Sequence, residues 1–376
     1  MTSTADLLYT EVEDDLRSAV RSLLADRCPH SAVLARIESD TPYDPALWRT
    51  LAQELGLAGL LVPGKLGGQD ASAREVAVVL EELGAAVAPV PFLGSAVLAT
   101  SALLAAGTEA ADALVARLAS GEAVATLAVP LPSAPGAAFP GGVRVEADGT
   151  LTGRVTSVAD ALAAGVLVVP AVGPDGQPGL YEVAADAPGV RLSVPVSLDL
   201  TRPVADIELF SAAARPLAGP TSAALALNRA LLTGAGLLAS EQLGVAQWCL
   251  DETVRYLGER HQFGRVVGSF QAIKHRLADL WLEVVSARAA ARNAADALAT
   301  NTPDAPIAVA VAQAYCSSVA VHAAEEAVQL HAGIGMTWEH PAHLYLKRAK
   351  ADEIALGTPG RHRAALAGLV DLPPAG

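Results

Sequence analysis

The sequence has few aromatic residues and fewer basic than acidic residues. The first shortage limits how the core can be built, and the second argues against negatively charged partners. Aromatic residues are 4 % of the 376 residues, although hydrophobic residues are 52 %. The core must therefore be built mainly from small aliphatic side chains, which suits closely packed helices. Lys and Arg total 26 against 40 Asp and Glu, a net charge of −14. This acidity argues against nucleic acids and anionic membrane surfaces as partners.

Cysteine is also scarce. Cys28, Cys249 and Cys316 are scattered and odd in number. This usage predicts free, buried thiols in a reducing compartment, and we expect a cytoplasmic protein.

Neither a membrane span nor a secretory signal is expected. A spanning helix needs about 18 or more uninterrupted apolar residues. The apolar stretch 223–238 is broken by Asn228 and Arg229. Residues 1–6 have no basic region of the kind that begins a secretory signal.

The periodicity of apolar residues changes twice along the chain. Residues 1–120 show helical spacing, with Ser72 and Glu75 at the spacing of a capping box. Residues 121–218 contain short β-like runs separated by turn signals, among them Asp148-Gly149 and the turn that ends at Gly176. Helical spacing returns over 219–376. We predict a mostly α, α+β fold with an amino-terminal helical domain, a small central β domain and a carboxy-terminal four-helix bundle.

A first motif ends a long apolar helical stretch. Arg260 and Phe263 are three residues apart and are expected to share a helical face, with Gly264 as a left-handed C-cap. Phe270 and Gln271 follow. A guanidinium, an aromatic ring and an amide are the groups that bind a pyrophosphate and a flat base. The structural alternative is a surface arginine beside a buried phenylalanine.

A second motif lies about seventy residues further on. Gln329 is followed by a Gly333-x-Gly335 turn, where backbone can approach a ligand closely, and Pro341 suits the start of a helix. His340 and His343 could form a metal pair. With no cysteine or third ligand nearby, we interpret them as structural or surface histidines and expect no metal.

The two motifs together resemble the carboxy-terminal domain of the acyl-CoA dehydrogenases. The resemblance is strong over about 220–370, moderate over the amino-terminal helices and weak over the central third. It implies an FAD-dependent oxidoreductase that desaturates an acyl-CoA thioester and passes electrons to an acceptor. In that family the carboxy-terminal helices hold the ADP half of a neighbouring subunit's FAD. The residues implied are Arg260 at the pyrophosphate, Phe263 beside it, Gln271, Gln329 and Gly333 at the adenosine, and Gly357 and Thr358 near the neighbouring flavin.

The sequence departs from the family where a catalytic Glu should stand. One family position precedes the Gly-Thr pair and is Leu356 here; the other, 26 residues before Arg260, is Gly234. Neither side chain can accept a proton. Asp352 and Glu353 are close in sequence but are interpreted as solvated surface charges. The catalytic residue therefore remains unknown.

The β region departs as well. Active members carry polar flavin-contacting segments, whereas 131–136 offers few donors and 153–159 has no aromatic residue. Thr156 and Ser157 either substitute in part or belong to a plain hairpin.

These departures match the base-lacking subunit of bacterial heteromeric, steroid-type acyl-CoA dehydrogenases. The leading hypothesis is a subunit that completes the FAD site of a homologous partner in a heterotetramer. One alternative is a homotetramer with a displaced base, for which Glu353 is favoured over Glu241, or with an altered reaction. The other alternative is a non-catalytic scaffold.

Overall fold

The amino-terminal part of the fold is helical. A computed structural model describes residues 7–372. Its first six α-helices are α1 Glu11–Arg27, α2 His30–Ile37, α3 Pro45–Arg49, α4 Ala73–Ala85, α5 Thr100–Ala106 and α6 Glu109–Ala119. Two π-helical segments, Thr50–Glu54 and Phe92–Ala99, lead out of α3 and into α5.

Local capping explains where several of these helices begin. The predicted capping box at Ser72 and Glu75 is confirmed, because the Ser72 N–H and hydroxyl both donate to the Glu75 carboxylate. Thr10 and Glu13 form a second box at the start of α1. Each box satisfies backbone N–H groups that have no partner inside the helix.

The central part is a twisted eight-stranded sheet. Its strands are β1 Ala125–Leu127, β2 Val143–Val145, β3 Leu151–Ala159, β4 Val166–Val172, β5 Pro178–Ala184, β6 Val190–Ser193, β7 Val204–Ala212 and β8 Arg215–Ala218. Seven strands follow the order β6-β7-β3-β2-β4-β5-β8, and β1 pairs parallel with β4. The predicted turns at Gly149 and Gly176 are confirmed, with φ of 84° and 78°.

The carboxy-terminal part returns to helices. These are α7 Pro220–Glu259, α8 Gln271–Ala299, α9 Ala305–Leu330, α10 Ala342–Ile354 and α11 Pro359–Leu369. A short hairpin of β9 His261–Gln262 and β10 Arg265–Val266 joins α7 to α8. The predicted order of helices, strands and helices is confirmed.

Small residues bring α4 and α7 into close contact. A Cβ on Gly244 would lie 1.9 Å from the Glu81 carbonyl oxygen, and one on Gly84 would lie 2.2 Å from that of Glu241. Larger side chains would force the two helices apart. At this crossing, the small residues of the sequence allow two helices to pack closely.

We expected no membrane span, and two helices nevertheless have the length and mean hydropathy that a spanning helix needs. Both α7 and α9 are long and apolar enough to cross a membrane. However, their most apolar windows are 67 % and 72 % buried within the fold. Core helices that are covered on several sides have this composition.

The three cysteines are free and buried, as predicted. Burial raises the pKa of the Cys28 thiol to about 12 and that of Cys316 to about 12. Thiols of this kind are inert in comparison with an exposed thiolate.

Candidate functional site

The first motif forms a hairpin turn instead of a helix end. Helix α7 stops at Glu259, and Arg260 follows in an extended conformation. Phe263 and Gly264 form the turn between β9 and β10, with φ of 53° and 73°. The predicted shared helical face of Arg260 and Phe263 and the predicted C-cap at Gly264 are therefore wrong. Adjacent positive φ values match a two-residue hairpin turn, which the helical periodicity obscured.

The hairpin exposes the groups that the motif predicted for ligand binding. Phe263 is 92 % exposed, and its ring centroid lies 6.3 Å from that of Phe270. The Arg265 guanidinium lies 3.7 Å above the Phe270 ring. Within residues 7–372, the exposed Arg260 guanidinium has no hydrogen-bond or ion-pair partner. Arg260 is thus available to an anionic ligand.

The second motif lies next to this hairpin. The His331 ring, just past the end of α9, stacks on Tyr256 at 4.5 Å, one turn before Arg260. Gln329 and Gly333 on either side of His331 are exposed, and so is Gln271 at the start of α8. These exposed residues stand at the ends of α7 and α9 and at the start of α8. We call them the hairpin surface: Arg260, Phe263, Gln271, Gln329 and Gly333.

Gly357 and Thr358 have a different environment. Gly357 is buried with φ of 108°, and a Cβ there would lie 2.8 Å from Ala134 Cβ and 2.9 Å from His362 Nε2. The Thr358 hydroxyl caps α11 by accepting the Arg361 N–H at 3.3 Å. Gly357 is thus enclosed by the fold and Thr358 is half-buried, whereas the residues of the hairpin surface are exposed.

The two family positions for the base meet in space. Leu356 is fully buried. A Cβ built on Gly234 would lie 3.1 Å from Leu356 Cδ1 and only 2.4 Å from Leu98 Cδ2. The missing side chain at Gly234 therefore makes room for leucine hydrocarbon. This region contains packed methyl groups where a base would need a carboxylate.

The donor-poor loop 131–136 closes over the same place. The Leu356 N–H donates to the Leu131 carbonyl at 2.7 Å, and the Gly136 N–H donates to Asn228 Oδ1 at 2.7 Å. Leu356 itself has φ of 54°, a conformation that costs an L-residue about 1–2 kcal/mol. Packing and hydrogen bonds hold it there.

Ser157 lies in an irregular part of β3. The pairing of β3 with β7 shifts register between Val155 and Val158, and Ser157 has φ of 55°. Its N–H donates to Asp206 Oδ1 at 2.9 Å. Ser157 is thus part of a β-bulge held by an aspartate, which the interpretation as a plain hairpin did not anticipate.

The carboxylates considered as displaced bases differ in their surroundings. Glu241 is buried and paired with both Arg202 and Arg348. Burial alone would raise its pKa, but the two guanidinium groups lower it. Asp352 is fully buried and pairs with Arg202 at 2.6 Å, so its interpretation as a solvated surface charge is wrong. Glu353 is half-buried.

The two histidines of the second motif do not form a pair. His343 stacks on Trp338 at 4.3 Å, whereas His340 lies beside His331 and Glu252. His340, His331 and Glu252 each offer one atom that could bind a metal ion, and these three atoms lie within 4.8 Å of one another. Sequence reasoning missed this trio because Glu252 comes from α7.

The hydrogen bonds of the trio do not suit a metal ion. The Ala342 N–H donates to His340 Nδ1 at 3.2 Å, which places the proton of the neutral ring on Nε2. Both Glu252 oxygens accept from Arg255, at 2.5 and 2.8 Å. Burial and the neighbouring His331 lower the pKa of His340 to about 4. These contacts describe a capping residue next to an ion pair.

Comparison with known proteins identifies the family. The acyl-CoA dehydrogenase amino-terminal domain matches residues 10–122, and the acyl-CoA dehydrogenase carboxy-terminal domain matches residues 224–368. This chain belongs to the acyl-CoA dehydrogenase family, whose members are FAD-dependent oxidoreductases acting on acyl-CoA.

Individual relatives cover nearly the whole chain. The chain is 37 % identical over 346 residues to the acyl-CoA dehydrogenase IpdE2 of Mycobacterium tuberculosis, covering 92 % of each. It is 31 % identical to a chain of the Tcur3481-Tcur3483 steroid acyl-CoA dehydrogenase, with a TM-score of 0.83 and coverage of 96 % and 98 %. It is 30 % identical to a chain of the ChsE4-ChsE5 complex from Mycobacterium tuberculosis, with a TM-score of 0.86 and coverage of 98 % and 100 %.

The residues of this chain suit the nucleotide half of FAD better than its flavin ring. The exposed guanidinium, ring, amides and glycine of the hairpin surface suit a pyrophosphate and an adenosine. The loop 131–136, hydrogen-bonded to Leu356 and Asn228, offers few groups to a flavin ring.

Proposed function

We propose that this chain is the base-lacking subunit of a heteromeric acyl-CoA dehydrogenase and completes the FAD site of a homologous partner. The observation that carries the proposal is that Gly234 and Leu356, the two positions where family members place the base, lie close together: a Cβ on Gly234 would be 3.1 Å from Leu356 Cδ1. A dehydrogenation that removes an α-proton needs a basic group near the thioester. The partner would supply that group.

The hairpin surface supports the binding half of the proposal. Arg260 would contact the pyrophosphate, with Phe263 packed beside it. Gln271, Gln329 and Gly333 would face the adenosine. FAD supplies the hydride acceptor of the reaction; this chain's residues bind and orient its nucleotide half. Gly357 and Thr358 would lie nearer the flavin of a neighbouring site.

Two structural relatives are named for pairs of different proteins, which agrees with a mixed assembly. One is a ChsE4-ChsE5 complex, and the other pairs Tcur3481 with Tcur3483 in a steroid acyl-CoA dehydrogenase. By similarity, we propose a heterotetramer, with a bulky steroid-type acyl-CoA as substrate and a separate acceptor for the electrons.

Exposed apolar residues on the carboxy-terminal helices indicate where the partner would bind. Trp281, Leu282 and Val285 on α8 are 54 %, 57 % and 42 % exposed. On α9, Val311 is 41 % and Tyr315 is 37 % exposed. Such faces are stabilised when a partner helix removes them from water.

The homotetramer with a displaced base is the second candidate. Its best residue is Glu353, since Glu241 is held by two arginines. Among the described residues 7–372, no contact favours Glu353 as a base over an ordinary half-buried carboxylate.

Coexpression distinguishes these candidates. The chain is produced alone and together with a homologue that carries the family Glu, and flavin absorbance and dye-linked acyl-CoA oxidation are measured. We expect flavin and turnover only in the mixed preparation. Changing the partner's Glu to Gln should abolish turnover, whereas Glu353→Gln in this chain should not. Turnover that depends on Glu353 would support the displaced base, and flavin without turnover in any preparation would contradict both enzyme hypotheses.

A further inference from the structure

Six buried charged residues join the central sheet to the helices. They are Asp160 after β3, Asp199 and Arg202 in the segment before β7, Glu241 on α7, and Arg348 and Asp352 on α10. Each is at most 7 % exposed. We call them the junction cluster, because they connect elements that are far apart in sequence.

The cluster is held by direct contacts. Arg202 bonds Asp352 Oδ1 at 2.6 Å and also pairs with Glu241. Arg348 contacts Glu241 Oε1 at 2.5 Å and Asp199 Oδ2 at 2.9 Å. The segment before β7 is thereby fixed to α7 and α10 at the same point.

The charges of the cluster do not balance. Four carboxylates face two guanidinium groups, so full ionisation would leave two excess negative charges in a buried site. Burying an uncompensated charge costs several kcal/mol, and such a group tends to take up a proton instead. The geometry shows which carboxylates are least satisfied.

Asp352 and Asp160 are those carboxylates. Within residues 7–372, Asp352 Oδ2 is buried and has no hydrogen-bond partner. Asp160 Oδ2 accepts the Gly94 N–H at 2.9 Å, and Asp160 makes no ion pair with any described residue. Among the described residues, the Asp352 side chain has only the one contact of Oδ1 with Arg202, whereas Glu241 and Asp199 each have hydrogen bonds from more than one donor.

We propose that the junction cluster is a proton-dependent joint: Asp352, and to a lesser extent Asp160, carries a proton when the sheet is docked on the helices. Loss of that proton adds an excess negative charge next to Glu241 and weakens the docking. The joint would make the attachment of the β domain sensitive to pH near neutrality.

The pKa values of Asp352 and Asp160 are both raised, which is the direction that the proposal requires. Burial, and next the negative charge of Glu241, raise the pKa of Asp352 to about 7, although Arg202 and Arg348 oppose the change. Asp199 adds a further negative charge near Asp352. Burial likewise raises the pKa of Asp160 to about 6 against the effect of Arg202.

The sign of the pH effect follows from linkage. In the unfolded chain an aspartate has a pKa near 3.9, so between about pH 4 and 7 the native state holds a proton on Asp352 that the unfolded state lacks. Stability from this group is therefore fully present below about pH 4 and falls as pH rises towards 7. The unfolding constant should change by up to tenfold per pH unit in that window.

Asp352→Asn tests the joint, because an amide is the neutral counterpart of the protonated acid. Urea unfolding of the full chain is measured from pH 5 to 8 for wild type, Asp352→Asn and the control Glu353→Gln, which changes the neighbouring half-buried carboxylate. We expect the variant to gain stability relative to wild type as pH rises, while the control follows wild type. A difference that does not vary with pH, or that varies in the opposite direction, overturns the proposal.

Infrared spectroscopy gives a readout that does not depend on the variant's stability. The wild-type chain should show the carbonyl stretch of a protonated, buried carboxylic acid at pH 6, with a loss on titration to pH 8. Asp352→Asn, if folded, should lack this component. A wild-type spectrum without any such band between pH 5 and 6 overturns the proposal even if the variant fails to fold.

Discussion

Replacing Arg260 by alanine separates binding of a partner's cofactor from folding of this chain. The Arg260 guanidinium is exposed and has no side-chain partner within residues 7–372, so its removal should leave the chain's own stability unchanged. A hydrogen bond to a charged group contributes about 1.5–3 kcal/mol. Loss of one pyrophosphate contact should therefore weaken FAD binding by the assembled complex about 10- to 150-fold.

The assay is the flavin content of the purified complex, measured by absorbance after extraction, over a series of dilutions. Arg191→Ala is a matched control, since Arg191 is also a surface arginine, with 70 % of its side chain exposed and its guanidinium 3.8 Å from Glu208. Arg260→Ala should lose flavin on dilution, whereas the control should retain it. Equal flavin content in all three proteins, with intact assembly, would refute the assignment of Arg260 to the pyrophosphate.

Three further predictions concern the chain by itself. The isolated chain should oxidise no acyl-CoA with a dye as acceptor, because both base positions are occupied by groups that cannot accept a proton; robust turnover would contradict this. Leu356→Ala should lower the free energy of unfolding in urea by about 2–5 kcal/mol, since it empties a fully buried site; an unchanged midpoint would show that this packing is unimportant. The ionised Glu13 should stabilise the fold at pH values above its ordinary pKa of 4.5. Burial opposes ionisation, but Arg74, the Thr10 N–H and Arg292 outweigh burial and lower the pKa of Glu13 to about 2. That contribution should disappear as pH falls from 4.5 towards 2, so the stability difference between wild type and Glu13→Gln should shrink on acidification; a constant difference would contradict this.

Local signals were sufficient to predict much of the fold. The Ser72 capping box and the Gly149 and Gly176 turns depend on residues close in sequence, and the structure confirms them. Around Phe263, however, the spacing of apolar residues predicts a helix that continues beyond the observed end of α7. Two consecutive residues with positive φ form a hairpin there, and the pattern of apolar residues does not record backbone conformation.

The parts of the site that sequence reasoning missed depend on contacts between distant segments. Asp352 follows a basic run and has the pattern of a surface carboxylate, yet Arg202 reaches it across 150 residues. The sequence showed that Leu356 and Gly234 cannot act as bases. Only the fold shows that they lie close together, since a Cβ on Gly234 would be 3.1 Å from Leu356 Cδ1 and 2.4 Å from Leu98 Cδ2.

Native mass spectrometry of the coexpressed pair tests the central claim most directly. This chain is produced together with a homologous subunit that carries the family Glu, and the masses of intact, flavin-loaded assemblies are measured. We expect a mixed tetramer that contains FAD, and this chain alone should carry little or none. A stable, flavin-loaded homotetramer of this chain, with no mixed species, would contradict it.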